Sequence, residues 1–318
     1  VLFRSFRPMG DKISSDDFAA YKTAAVSYED ELYGVPFDSG VAALFYRTDY
    51  LSEIGYTEED MQDLTWEEYL SLGEQLKTKG HMLQTYNPND IAEFQIMLQS
   101  AGKWFTNEKG EADFIDNAAL EECYSIFKQL NEADYTKVVS DWTEFAGAIN
   151  SGEVACVLRG CWMTSTLMAE ESQSGKWALA PIPKMNAEGA THYSNQGGSS
   201  WFVLNDSPNS EIAADFLAKT FGSSTELYNT LLKEKSIIGT FLPATDVEAY
   251  EETSEFFSNQ QVNKLLGDWM TKIPAVDTGA FSAEAQNSLV SVTPAILEGG
   301  DLAENLATAE EQFKQSIQ

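Results

Sequence analysis

Short apolar runs alternate along the chain with amphipathic stretches of helical period, and this alternation predicts an α/β fold. Val41-Ala42-Ala43-Leu44-Phe45-Tyr46 is continuous and apolar, as a buried strand requires. Val154–Leu158, Trp177–Ala180 and Ser200–Leu204 predict further strands. Pro181 and Pro183 stop the second of these, because proline has no N–H to give to a ladder. Thr65-Trp66-Glu67-Glu68 opens a helix: Thr65 can accept from the Glu68 amide while Glu68 reaches back, a capping box. Leu64 and Tyr69 are spaced as a hydrophobic staple, and Leu72 and Leu76 continue the buried face. Asn117 precedes a helix carrying Leu120, Cys123, Tyr124, Phe127 and Leu130 at helical spacing. Ser207-Pro208 predicts another, serine as cap and proline at the first helical position. Its apolar stripe is Ile212, Ala213, Phe216, Leu217 and Phe221, and Glu226–Leu232 adds a shorter helix. The C-terminal third reads as helices broken at Pro274, Pro294 and Gly299-Gly300, the last capped by Asp301.

Composition narrows the partners. At 318 residues, 43% hydrophobic and 12% aromatic, the chain suits about two domains with sizeable cores. No apolar run is long enough to span a membrane. Fifty acids against 20 Lys plus Arg give a net charge of −30, so the surface repels phosphate backbones and no nucleic-acid partner is expected. A neutral ligand suits that field better than an anion, though acidity also simply keeps a protein soluble. Three cysteines exclude a disulfide framework. Cys156 and Cys161 are close enough in sequence to pair, but all three read as small buried residues. His81 and His192 are the only histidines and lie far apart, so no metal and no cofactor is expected.

Several pieces in fixed order resemble the extracellular solute-binding proteins of family 1, the capture subunits of ABC importers. These are Tyr33-Gly34-Val35-Pro36, then Tyr46-Arg47-Thr48-Asp49 with Leu51 and Gly55, and the Thr65-Trp66-Glu67-Glu68 helix start. Phe145, Gly152-Glu153-Val154-Ala155 and Gly160-Cys161-Trp162 follow, then Trp177-Ala178-Leu179-Ala180-Pro181-Ile182-Pro183. Gly197-Gly198, Trp201–Leu204 and Ser207-Pro208-Asn209 complete the set. Singly each piece is weak; in order they form a specific multi-part motif. The resemblance implies a two-lobe periplasmic-binding-protein type II fold with a hinge and a ligand cleft between the lobes. It places residues 1–44 and 181–250 in the first lobe, and 45–180 and 251–318 in the second. It also implies that the first strands of the N-terminal lobe and the lipid-carrying or signal segment lie outside this chain. Val1-Leu2-Phe3-Arg4-Ser5 resembles the translated end of a sequencing adapter and is expected to stand outside the fold.

A sugar presents one apolar face and a rim of hydroxyls, so its site needs aromatic rings with amides and carboxylates around them. Trp162 follows a strand and a glycine, and in maltose-binding relatives the matching tryptophan stacks on sugar. Asp38 lies in the turn before the Val41 strand, where its carboxylate either takes two hydroxyls or is simply solvated. Asn195, Gln196, Gly197 and Gly198 form a polar loop whose glycines allow close backbone approach. Trp201 either lines the cleft or packs in the lobe. By resemblance Trp269, Asp277 and Phe281 add contacts from the second lobe. Trp142 and Trp104 are looser candidates, Trp66 and Trp177 read as packing, and Arg47 reads as an ion-pair partner.

The expected function is capture of a neutral sugar, an oligosaccharide, and its delivery to an ABC permease by a monomer outside the bacterial cytoplasm. It would be held at the cell surface as a lipoprotein or in the periplasm. Two alternatives stay open. A polyamine or peptide binder would suit the acidic charge, with Asp38 and Asp277 as ligands. A glycoside hydrolase would need two carboxylates about 5–10 Å apart. No local nucleophile signature is present, and two histidines leave few general-base schemes.

Overall fold

The computed structural model describes residues 3–318. The first half runs α1 (Ala20–Ala25), β1 (Ser27–Tyr28), β2 (Glu31–Leu32), β3 (Gly34–Pro36), β4 (Ala42–Arg47), α2 (Thr48–Glu53), α3 (Trp66–Thr78), β5 (Gln84–Tyr86), α4 (Ala92–Ser100) and α5 (Ala118–Glu132). It continues with β6 (Thr136–Val138), α6 (Trp142–Asn150), β7 (Cys156–Gly160), α7 (Met163–Met168), β8 (Trp177–Ala180) and β9 (Ser200–Phe202). Five helices close the chain: α8 (Ser210–Lys219), α9 (Thr225–Lys235), α10 (Val262–Met270), α11 (Ser282–Leu297) and α12 (Leu302–Ser316).

The central sheet has the order β7-β4-β8, with β4 antiparallel to both neighbours and Leu44 opposite Leu158 and Ala180. All six β4 residues are buried, because helices cover both faces. Ala42, Leu44 and Tyr46 point into a core built with α3, α4, α5, α11 and α12. Val41, Ala43 and Phe45 point into a second core with α6, α7 and α10. The period-2 alternation of a strand thus feeds two apolar interiors, which is why the sequence run is continuous. A third, smaller cluster joins Met9–Val35 to Val203–Ala244 around the antiparallel β3–β9 pair.

Local signals hold where they are self-contained. The Thr65/Glu68 capping box forms in both directions, and Asn117 and Asp301 cap α5 and α12. All three cysteines are free and buried, and burial pushes the Cys156 and Cys161 thiols up to about 12. Two strands shift: β7 begins at Cys156, with Val154 left as a lone bridge to Met82, and β9 ends at Phe202.

Four expectations are corrected. Ser207 does not cap α8; its hydroxyl takes the Asn209 amide in a turn, and the helix starts at Ser210. The α8 stripe is not buried: Ile212 is 71% and Phe216 60% exposed, and only Ala214 is fully inside. Arg7 and Lys12 pair with Glu211 and Asp215, and so fix which side of α8 faces the protein. Pro294 does not break α11: the helix runs on to Leu297, and the Glu298 amide donates to Pro294 O at 3.0 Å. Phe3 is packed, its ring stacked on Tyr28 at 5.6 Å; Val1 and Leu2 lie outside the described residues.

Candidate functional site

Two segments link the third cluster to the central sheet, and they run side by side. Residues 37–41 lead from β3 to β4, and residues 194–199 lead into β9. Gln196 N donates to Gly40 O (2.7 Å) and Ala42 N to Ser194 O (2.9 Å). The end of β7 joins them, with Cys161 N donating to Val41 O (2.7 Å) and Gly160 N to Gln196 Oε1 (2.9 Å).

Trp162 sits at this junction, just before α7, and is 40% exposed. Its indole Nε1 donates to Gln196 O at 3.1 Å. Trp142, the first residue of α6, stands 5.9 Å away and is 52% exposed. Asp141 fixes that position by capping α6 through the Glu144 amide (2.9 Å). Two half-exposed indoles held from different elements form a platform for an apolar ligand face.

The close approach depends on glycine. A Cβ on Gly160 would lie 2.4 Å from Trp162 Nε1 and 2.6 Å from Gln196 O; one on Gly40 would lie 2.1 Å from Gln196 O. Gly160→Ala is therefore expected to push Trp162 and the 196 loop apart. We expect overpacking of about 1–3 kcal/mol and a loss of ligand affinity of at least tenfold, read by thermal melting and calorimetric titration. Unchanged affinity would show that the Trp162 pose does not matter for binding.

Gly197 and Gly198 have φ of +91° and +84°, a region that favours glycine, and both are exposed. Asp38 Oδ1 accepts the Ser199 amide at 2.5 Å. Asn195 Oδ1 accepts from Gly40 N (2.9 Å) and from the Tyr21 hydroxyl (3.2 Å), while its Nδ2 donates to Gly197 O (2.9 Å). Asn195 therefore builds the loop. Burial lowers the Lys22 ammonium to about 8, opposed by the charge of Asp38.

Trp162, Asp38, Asn195, Gly197 and Gly198 thus come together. Trp201 packs elsewhere, its ring 5.6 Å from Phe37 and 5.2 Å from Phe221. Trp269 is only 5% exposed and belongs to the second core. Asp277 is exposed and accepts its neighbour Gly279's amide, and Phe281 is 38% exposed at the start of α11. Their segment is tied to α4 and its following loop by Gln99 to Pro274 O and Thr106 to Thr278 O, with Trp104 Nε1 bonded to Ser282 Oγ. Trp66 and Trp177 are buried. Arg47 pairs with Asp49 (2.6 Å) at the far end of β4.

Sequence reasoning underrated Trp142 and missed Tyr21, Lys22 and Arg159. Arg159 had a signal: it is a charge inside an apolar strand, and a buried charge demands a partner. It pairs with the equally buried Glu93 just before Trp162. A separate cavity of about 1110 Å³ lies between Gly10–Ser15, α1 and the β1–β2 hairpin. It shares no residue with the Trp162 junction and has no aromatic lining, so the converging side chains outweigh its volume as the guide to the site.

A family profile described as bacterial extracellular solute-binding protein matches residues 4–262. A lactose-binding protein of Rhizobium radiobacter is 40% identical over 315 residues, covering 99% of this chain and 75% of the relative. A crystal structure of an extracellular solute-binding protein of family 1 superposes with a TM-score of 0.83 at 16% identity, over 99% of this chain and 81% of that one. The galacto-N-biose/lacto-N-biose I-binding protein of a Bifidobacterium longum ABC transporter, solved with lacto-N-biose, gives 0.77 at 19% identity, over 99% and 79%. These likenesses establish the two-lobe α/β fold.

Proposed function

The chain belongs to the bacterial extracellular solute-binding proteins, and from that membership we propose that it captures a neutral di- or oligosaccharide in a cleft between two lobes for delivery to an ABC permease. The observation that carries the reading is the Trp142–Trp162 platform beside a loop of exposed glycine backbone and Asp38. Rings serve the sugar's apolar face, and amides and a carboxylate serve its hydroxyls. The 40% identical relative is named for lactose, and the Bifidobacterium neighbour was solved with lacto-N-biose. Both are galactosyl disaccharides, so lactose is the first ligand to try.

The third buried cluster, which draws on residues 9–35 and 203–244, supports a first lobe made of two stretches of chain. β4 spans 42–47 and belongs to the central sheet, so we draw the lobe border near residue 41 rather than 44. The hinge is then the pair of linking segments at 37–41 and 194–199. We propose a monomer outside the cytoplasm, at the cell surface or in the periplasm, that does no covalent chemistry. No helix of the described residues is long and apolar enough to cross a membrane. The polyamine alternative needs Asp38 and Asp277 to converge on one ligand, and they are bonded into different segments, Asp38 to Ser199 and Asp277 to Gly279.

A thermal-shift screen with lactose, lacto-N-biose, spermidine and a tripeptide tests the reading. A ligand at a hundred times its Kd stabilises the native state by about 2.7 kcal/mol. The expected result is a shift with a galactosyl disaccharide, which is recovered intact after long incubation. A shift with spermidine or peptide alone would overturn the sugar reading, and a cleaved sugar would overturn the binding-only role.

A further inference from the structure

Lys22 is 6% exposed on α1, yet it forms no ion pair among the described residues. An ammonium is seldom buried without a carboxylate beside it. Its one bond runs from Nζ to Ser199 O at 3.0 Å, and a Cβ on Gly198 would lie 3.2 Å from Nζ. The preceding residue grips the same region: the Tyr21 hydroxyl meets Ser39 Oγ at 2.5 Å and Asn195 Oδ1 at 3.2 Å. Consecutive residues of one short helix therefore hold both linking segments, and Asp38 ties those segments to each other through the Ser199 amide.

We propose that Lys22 is a positioning residue for the binding site: with Tyr21 it clips the two linking segments together and sets the pose of the Gly197–Ser199 loop. The ligand readout below rests on the sugar reading; the clip itself does not.

Stability alone does not explain a lysine here. A buried unpaired charge costs the fold free energy, and an apolar side chain of similar length would remove that cost. The ammonium supplies a charge-assisted hydrogen bond to a loop carbonyl, roughly twice as strong as a neutral one. Among the described residues, Asp38 is the charged group whose field acts on it from the segments packed against α1; Tyr21, on its own helix, is pushed up by burial and stays neutral. Because burial lowers the Lys22 ammonium to about 8, raising the pH weakens the clip by removing its charge.

The test compares wild type with Lys22→Met. Hydrogen exchange is followed at the amides of Gly40, Gln196 and Ser199, with Leu44 in the central sheet as reference. Lactose is titrated calorimetrically at pH 7 and 9.5. Lys22→Met is expected to melt no lower than wild type, to exchange roughly tenfold faster at the three loop amides but not at Leu44, and to bind lactose roughly tenfold more weakly. Wild-type affinity should fall between pH 7 and 9.5, and that of the variant should not. Unchanged loop exchange in the variant would overturn the proposal. If the variant does not fold, wild type at the two pH values decides: loop exchange must rise relative to Leu44 beyond the intrinsic base effect, or the clip is wrong. If wild type binds no sugar, the sugar reading fails while the exchange data still judge the clip.

Discussion

Trp162→Ala is expected to weaken lactose binding by roughly thirtyfold to several hundredfold while leaving the melting temperature within a few degrees of wild type. Trp162 is 40% exposed, so less packing is lost with it than at a core tryptophan. What disappears is one of the two surfaces on which a sugar face can rest, together with the hydrogen bond that holds the 196 loop. Buried aromatic anchors at binding sites typically cost about 2–4 kcal/mol on truncation, and about 1.4 kcal/mol is a factor of ten. Trp162→Phe keeps a ring but loses the bond to Gln196 O, and is expected to fall between the two. Trp142→Ala should lose less, since Trp142 touches the loop only through its neighbour. Isothermal titration separates these cases. An alanine variant that binds as wild type does would remove the platform from the account.

The largest stability effect is expected at Arg159. Its side chain and that of Glu93 are almost fully buried and meet at 2.5 Å, Asp90 lies 3.5 Å from the same guanidinium, and the group stands 5.0 Å over the Phe145 ring. Burial raises the Glu93 carboxyl above its usual range, although Arg159 opposes this. Arg159→Met removes the opposition and leaves a buried carboxylate alone, which costs about 3–5 kcal/mol. A group whose folded pKa is raised contributes stability below its unfolded value and loses it as pH rises through the folded one. The deficit of Arg159→Met should therefore grow from pH 5 to pH 8. Replacing Glu93 as well with an apolar residue of similar size should recover most of the loss. Chemical denaturation of the single and double variants checks both statements; a single variant as stable as wild type at pH 8 would refute them.

Much of the fold can be read from local rules, and much of the site cannot. The buried strand at Val41–Tyr46, the Thr65 capping box and the stop at Pro181 each depend only on neighbouring residues, and each forms. The α8 stripe fails because helical period shows that a face is apolar and not that anything covers it. Trp142 and Trp269 both sit in helices with apolar neighbours. Only the tertiary arrangement puts one beside Trp162 and the other inside the second core. The glycines of the site carried a usable signal, since Gly160 and Gly198 flank the contacts that a Cβ would destroy. Lys22 carried none: Ala20-Tyr21-Lys22-Thr23 reads as ordinary helix surface until the linking segments close over it.

The most direct test of the central claim is a crystal structure of the protein grown with lactose. The account predicts a sugar ring against the indole of Trp162, with Trp142 alongside and hydroxyls reaching Asp38 or the Gly197–Gly198 backbone. Lactose bound instead in the cavity between Gly10–Ser15 and α1, away from both tryptophans, would contradict it.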